Sequence, residues 1–249
     1  MKDFMDPAVA ELLAVHQLDN FAALWDLQLE AVDEPNTERG GWSSVAKMTL
    51  GEQEFYLKRQ INHLTRSLQK PLGEPTFARE MRNIQRYQLL GIPALRAAFF
   101  AQRQHNGERQ AILLTHALAG WDDLEHWQQQ WSGLTDMQQQ GIVQACAKLA
   151  KTLHQAGQVH GCFYPKHIFL QEQAAGFTAQ LIDLEKTRPL LFGRRDRVKD
   201  LEPLFRRSQH VWGQGETELF LHSYLHRAED IPRWLERLDA RRKDKAARR

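Results

Sequence analysis

Cysteine is scarce: the chain has only two, Cys146 and Cys162. Two distant thiols give neither a disulfide framework nor the spacing of zinc ligands, and they suit a reducing compartment. Long apolar runs are missing as well. The most hydrophobic stretches, Ala97–Ala101 and Ala111–Leu114, fall far short of the roughly 18–20 residues that span a bilayer. The opening Met1-Lys2-Asp3-Phe4-Met5-Asp6 places acids where a secretion signal needs an unbroken apolar segment, so a cytoplasmic protein is expected. Neither sign of charge dominates, with 33 basic against 31 acidic residues. That removes the broadly basic surface of a nucleic-acid binder.

What is present is the composition of an ordinary globular protein, 42% hydrophobic and 26% charged over 249 residues. This is enough for one generous domain or two small lobes. The charge is uneven. Eight basic and three acidic residues lie between Ile231 and Arg249, an excess of five, so a chain of net charge +2 leaves the remaining body at −3. Only this end is basic enough to seek phosphates or an anionic surface.

Along the chain, helical patterns over Ala8–Leu18 and Phe21–Leu27 precede a polar turn through Asp33-Glu34-Pro35-Asn36. Trp42–Leu50 and Glu54–Lys58 read as paired strands turning at Gly51. A helix is expected from about Pro75 to Leu90, stopped by Gly91 and Pro93. Leu95–Arg103 and Gln110–Thr115 read as two more strands around His105-Asn106-Gly107. Short helices near Asp122–Trp131 lead to a long one from Thr135 to Gln155, with the stripe Ile142, Val143, Cys146, Leu149, Ala150 and Leu153. Ile168–Leu170 and Thr178–Ile182 read as short strands, and the remainder as mostly helical.

Three places carry candidate chemistry. The small residues of Arg39-Gly40-Gly41-Trp42-Ser43-Ser44-Val45 would let backbone amides approach phosphate oxygens, although two glycines in a hairpin equally serve a turn. Glu80 shares a helical face with Phe77, Met81, Ile84 and either Tyr87 or Gln88. A carboxylate on such a stripe needs a partner, and Lys58 is the nearest cation by topology; the alternative is a glutamate at the stripe's margin that reaches solvent. Third, polar and cationic residues crowd His160-Gly161-Cys162-Phe163-Tyr164-Pro165-Lys166-His167, and a following strand delivers Asp183, well placed to hold a divalent cation.

The order of these parts resembles a protein-kinase-like fold, α+β and bilobal. Within it the chain is similar to the lipopolysaccharide core kinases that phosphorylate Kdo or heptose, most of all to their InaA-like branch. The resemblance runs from about Gly40 to Tyr224. It implies a helical lead-in over 1–38, a β-rich N-lobe over 39–118, a helical C-lobe over 119–230 and a basic helical end over 231–249, with ATP in the cleft between the lobes. Gly40, Gly41, Ser43, Ser44 and Val45 would cover the phosphates. Lys58, oriented by Glu80, would contact them, and His116 and Leu118 would flank the adenine. Asp183 would hold magnesium, with His167 where protein kinases use an asparagine; imidazole is a softer ligand than magnesium prefers. His160 would open the catalytic loop and Asp200 would brace it. Arg188 matches the family without an evident role.

The pattern departs from the family at Cys162, which stands where protein kinases place the catalytic aspartate. A thiol is a poor acceptor for a hydroxyl proton. Lost general-base help typically costs about 10²–10⁴-fold, yet the loose transition state of phosphoryl transfer rests mainly on positioning and charge. Glu185, His160 and Lys166 stand as possible substitutes. Two readings follow: an ATP- and magnesium-dependent phosphotransferase acting on lipopolysaccharide core at the inner membrane, or a pseudokinase whose bound ATP regulates an envelope response. A small-molecule kinase akin to antibiotic phosphotransferases also starts its loop His-Gly, but needs the missing aspartate. The apolar stripe Ile231, Trp234, Leu235 and Leu238, followed by basic residues, would either dock on an anionic leaflet or pack on the domain.

Overall fold

The computed structural model describes every residue except 33, 38, 39, 68, 69, 248 and 249, and the side chains of 67 and 246. Asp33 of the polar turn, Arg39 of the predicted loop, and Arg248 and Arg249 of the basic end therefore lie outside the described residues. Two compact units emerge, one of residues Met1–Arg86 and Leu95–Ala119, the other of Tyr87–Ala94 and Gly120–Arg249.

The first unit is built on strands β1 (Phe4–Met5), β2 (Trp42–Leu50) and β3 (Gln53–Ile61), the hairpin β4 (Leu64–Ser67) and β5 (Lys70–Pro75), then β6 (Ala97–His105) and β7 (Glu108–His116). Helices α1 (Pro7–Val15), α2 (Phe21–Asp26) and most of α3 (Thr76–Leu89) accompany them. The main sheet is antiparallel in the order β1-β6-β7-β3-β2. Tight turns set its register. Gly51 joins β2 to β3 at φ 58°, and Asn106 and Gly107 join β6 to β7 at φ 49° and 81°, the two left-handed residues a hairpin turn of matching twist requires. Alternation along β3 sends Phe55 and Leu57 into a core shared with Leu114 of β7, Val9 and Leu13 of α1, and Leu24 of α2. The first forty residues thus supply part of this core, and β1 adds a strand that the sequence patterning does not reveal.

On β3, Gln60 organises the start of α3. Its Oε1 accepts from the Thr76 hydroxyl at 2.8 Å and the Phe77 amide at 2.9 Å, and its Nε2 donates to the His63 carbonyl at 2.6 Å. The helix begins one residue later than its proline suggests, because Pro75 still pairs with Leu64 across the β4–β5 hairpin.

The second unit contains β8 (Asp122–Asp123), α4 (Leu124–Gln129), α5 (Asp136–Gln155), β9 (Gln158–Val159), β10 (Ile168–Gln173), β11 (Gly176–Leu181) and β12 (Arg188–Pro189). Helices α6 (Arg194–Ser208), α7 (Gln214–Tyr224) and α8 (Ile231–Ala246) complete it. Thr135 and Gln138 cap α5 reciprocally, which fixes its start where the sequence places it. All six residues of the expected α5 stripe are buried. β10 pairs with β11 in one small sheet and β9 with β12 in another, and the loop joining β9 to β10 runs from His160 to His167. Helix α8 settles the reading of the C-terminal stripe: Ile231, Trp234 and Leu238 are buried, with Trp234 packed edge-on against Tyr224 of α7. Its apolar face is therefore committed to the unit, and what it offers outward is charge. Among the described residues no helix is long and apolar enough to cross a membrane.

Candidate functional site

In the first unit, Lys58 lies directly opposite Val45 on β2 and Leu113 on β7, so the three share one face of the sheet. Its Nζ meets Glu80 Oε1 at 2.7 Å. Glu80 is only 3% exposed, on the α3 face with Phe77, Met81, Ile84 and Tyr87, while Gln88 is exposed. The pair resolves the choice left by the sequence: the carboxylate points inward and holds the lysine.

The glycine stretch divides by residue. Gly40 has φ 70° with open space around its α-carbon. A side chain at Gly41 would lie 2.3 Å from the His63 amide nitrogen and 2.5 Å from the Ile61 carbonyl, so the crossing of two backbones already requires glycine there. Ser43 exchanges both backbone hydrogen bonds with Asn36 at 2.9 Å, which spends its amide within the fold, and Ser44 is buried. Further on, the His116 and Ala117 amides are committed to the Arg96 and Glu54 carbonyls. The His116 ring packs against Phe55 and lies 3.7 Å from the Asp6 carboxylate; burial pushes its pKa down, aided by Arg96 and opposed by Asp6. Half-buried Leu118 follows.

In the second unit the loop after β9 is suspended from Asp200 of α6. The Asp200 carboxylate accepts the amides of His160 at 2.8 Å and Gly161 at 2.7 Å, and the His154 Nε2 at 3.1 Å, while His154 Nδ1 meets the Tyr224 hydroxyl at 2.7 Å. Gly161 has φ 80°, and a side chain there would lie 2.7 Å from the Lys186 carbonyl oxygen. The fully buried His160 ring donates from Nε2 to the Ile182 carbonyl at 2.9 Å, tying the loop to the residue before Asp183. The His160 ring is therefore committed to holding the loop against the Ile182 carbonyl.

Asp183 is left-handed, φ 57° and ψ 65°, with its side chain 43% exposed. Its Oδ2 lies 3.4 Å from His167 Nε2. His167 donates from Nδ1 to the Cys162 carbonyl at 2.9 Å, which leaves the Nε2 lone pair facing the carboxylate. Burial pushes the imidazole's pKa down, with Asp183 opposing it, so the ring is held towards its neutral form. A lone pair aimed at a carboxylate is a donor arrangement that a cation between them satisfies, and a backbone acceptor behind a ligating imidazole is the usual orienting device. Asp183 supplies the oxygen ligand that a divalent cation takes, while the His167 imidazole is a softer donor than magnesium prefers.

Cys162 is buried, 3% exposed, with the Tyr164 hydroxyl and the Lys186 ammonium in its electrostatic surroundings. Burial pushes the thiol up, and Lys186 opposes that shift. Tyr164 in turn carries the Arg207 guanidinium over its ring at 4.4 Å. Of the expected substitutes, Lys166 is exposed and Glu185 half-buried.

Sequence reasoning missed two partners. Arg188 is bidentate to Asp196, at 2.8 and 3.0 Å, and Asp196 also accepts the Leu191 and Phe192 amides; the Arg188 hydrogen bond leads in holding this carboxyl far below the usual range. Arg188 is thus a clamp on the turn before α6. Lys186 was the other, and its signal was available as a cation three residues beyond the metal-binding candidate.

This combination has known counterparts. A model of the lipopolysaccharide kinase (Kdo/WaaP) family matches residues 22–224. Protein InaA of Escherichia coli (strain K12) is 33% identical over 185 residues, 72% of this chain and 83% of that protein. The solved structure described as WaaP in complex with acyl carrier protein aligns with a TM-score of 0.74 over 100% of this chain and 99% of that one, at 22% identity. At that identity the likeness speaks to fold, which is α+β and protein-kinase-like. The chain belongs to the lipopolysaccharide kinase (Kdo/WaaP) family.

Proposed function

We propose that this protein transfers the γ-phosphoryl group of ATP, with magnesium, to a sugar hydroxyl of the lipopolysaccharide core at the cytoplasmic face of the inner membrane. The observation that carries this reading is the Lys58–Glu80 pair at 2.7 Å with the carboxylate 4% and the lysine 17% exposed. Such a pair gives little stability that apolar residues could not supply, but it fixes one ammonium at a defined point, as the phosphates of a nucleotide require. Asp183 and His167 would hold the metal, whose charge would offset that of the transferring phosphoryl group. Gly40 leaves open space for a phosphate, and the Leu118 segment would meet the base. His160 and Asp200 hold the loop in place.

Cys162 favours a second reading, a pseudokinase that binds ATP without transferring phosphate. Its raised pKa keeps the thiol protonated and unable to take a hydroxyl proton. Positioning and charge carry most of phosphoryl transfer, which is why the enzymatic reading leads. Radiolabel transfer from Mg-ATP to a membrane-glycolipid extract, with Asp183→Ala as the blank, separates the two. Transfer abolished in the blank supports the kinase; Mg-ATP binding without transfer supports the pseudokinase. If Mg-ATP does not bind, or binds equally after Lys58→Ala and Asp183→Ala, both readings fall.

A further inference from the structure

Helices α6 and α8 border a cavity of about 620 Å³ in the second unit. It is lined by Arg195 and Lys199, one turn apart on α6, and by Arg237 and Arg241, one turn apart on α8. Like charges spaced i, i+4 repel, and here two such columns line the same cavity. Among the described residues none of these four cations makes an ion pair. The carboxylates lining the cavity are Asp196, already bidentate to Arg188, and Asp244. Four uncompensated cations thus face a single carboxylate, although the body of the chain is acidic. The first unit provides a contrast. Its cavity at the β5–α3 junction is also rich in arginine, but Arg82 is paired to Glu74, Arg103 to Asp3, and Arg109 donates to the Gly73 carbonyl.

The α6–α8 cavity continues towards the candidate loop. A smaller space of about 270 Å³ shares Arg188, Asp196, Lys199 and Arg241 with it and reaches Gly161, Tyr164 and Lys186. Phe192, 66% exposed, lines the larger cavity and offers an aromatic surface on which a sugar ring can lie. A space of this size suits a ligand of one or two sugar rings. Guanidinium and ammonium groups together select phosphate and carboxylate oxygens.

We infer that this cavity is an acceptor subsite that binds an anionic sugar head group bearing phosphate or carboxylate, with the reacting sugar placed near Tyr164 and Lys186. The inference rests on the phosphotransferase reading and adds the chemistry by which the acceptor is held. It also gives the basic face of α8 a ligand of its own, distinct from a flat anionic surface.

The test measures binding of the full chain to phosphatidylcholine vesicles carrying rough-type lipopolysaccharide, beside vesicles carrying phosphatidylglycerol at the same charge. Glucose 1-phosphate serves as a soluble competitor. Arg195→Ala/Lys199→Ala removes two exposed cations of the cavity; Arg233→Ala/Lys243→Ala removes two exposed cations of α8 outside it. The cavity variant is expected to bind lipopolysaccharide vesicles about tenfold more weakly, with two charge-assisted contacts removed. The control variant and Mg-ATP affinity should be unchanged, and glucose 1-phosphate should compete. Equal binding to phosphatidylglycerol vesicles, equal loss in the control, or no loss in the cavity variant overturns the inference. Because Mg-ATP binding is measured on the same samples, failure of the nucleotide reading is seen separately. Arg241→Gln provides an independent second variant with the same expectation.

Discussion

Asp200→Asn perturbs the second unit at one atom, because amide and carboxylate have the same shape. Asp200 Oδ2 accepts from His154 and the His160 amide, and Oδ1 accepts from the Gly161 amide. Whichever way the new amide turns, its NH₂ faces a donor. The less costly orientation abandons Gly161 N–H, and an unsatisfied buried donor costs about 1–3 kcal/mol. The two surviving bonds lose their charge, which weakens each by roughly half, so the loss totals about 2–4 kcal/mol. For a chain of this size that lowers the melting temperature by roughly 5–12 °C. Thermal unfolding measures the loss, and amide exchange of the peptide carrying His160 and Gly161 should accelerate. The pH dependence has a definite sign. Burial raises the Asp200 pKa, but the His154 bond and charge and the His160 amide outweigh it, leaving the pKa below its ordinary 3.8. A depressed folded pKa adds stability that is complete above the unfolded value and lost as pH falls through the folded one. The gap between wild type and Asn variant should therefore be constant near neutral pH and shrink only in acid, below about 3.8. A melting temperature within about 1 °C of wild type, with unchanged exchange at Gly161, would refute this account of the loop.

Other expectations follow from the same geometry. Gly41→Ala should destabilise the first unit by at least about 2 kcal/mol, since backbone at 2.3 Å cannot yield; Gly40→Ala should cost only about 1 kcal/mol, for its left-handed φ alone, and comparative melts decide. In the second unit, Gly161→Ala combines φ 80° with a 2.7 Å approach to the Lys186 carbonyl, so a loss of about 2–3 kcal/mol is expected by the same melts. Glu80→Gln should leave the fold intact but weaken Mg-ATP binding about tenfold, because Lys58 loses the charge that orients it; calorimetric titration checks this. Cys162→Asp, placing a carboxylate beside Lys186, should raise phosphate transfer by at least about tenfold if a general base is what the loop lacks, read by the radiolabel assay.

The α5 boundaries were legible because a capping pair and a six-residue stripe point to the same helix. The β2–β3 hairpin was legible through its alternation and Gly51. Local signals end there. The β4–β5 hairpin carries Pro71, Gly73 and Pro75 with a register shift between Thr65 and Ser67, so it has neither the alternation nor the uninterrupted donors of an ordinary strand. β1 is two residues whose strand character comes from pairing with Phe99 and Phe100 of β6. Among site residues, Lys58 and Glu80 could be paired from sequence because one helical face and one strand face were each defined. Arg188 could not be given its role, because its partner Asp196 is brought round by a turn whose amides that same carboxylate binds. Gly41 was legible as a small residue, but the reason for it, the backbone of Asn62 and His63, exists only in the folded chain.

Cys162 is the residue on which kinase and pseudokinase readings divide, and features elsewhere in each unit bear on that choice. Stability alone does not explain them. A lysine–glutamate pair of such low exposure adds little that apolar residues of similar volume would not. A left-handed aspartate costs about 1 kcal/mol against an ordinary conformation, yet Asp183 adopts it with its carboxylate facing the His167 lone pair. On the kinase reading these features would serve phosphate and metal, and neither uses the Cys162 side chain, since His167 bonds only its backbone carbonyl. The thiol feels the charge of Lys186, a cation that a carboxylate at this position would also attract. On the kinase reading, a thiol here gives up proton acceptance but keeps a neighbouring cation, and in a reaction whose transition state is governed by charge and positioning, proton acceptance is the smaller loss.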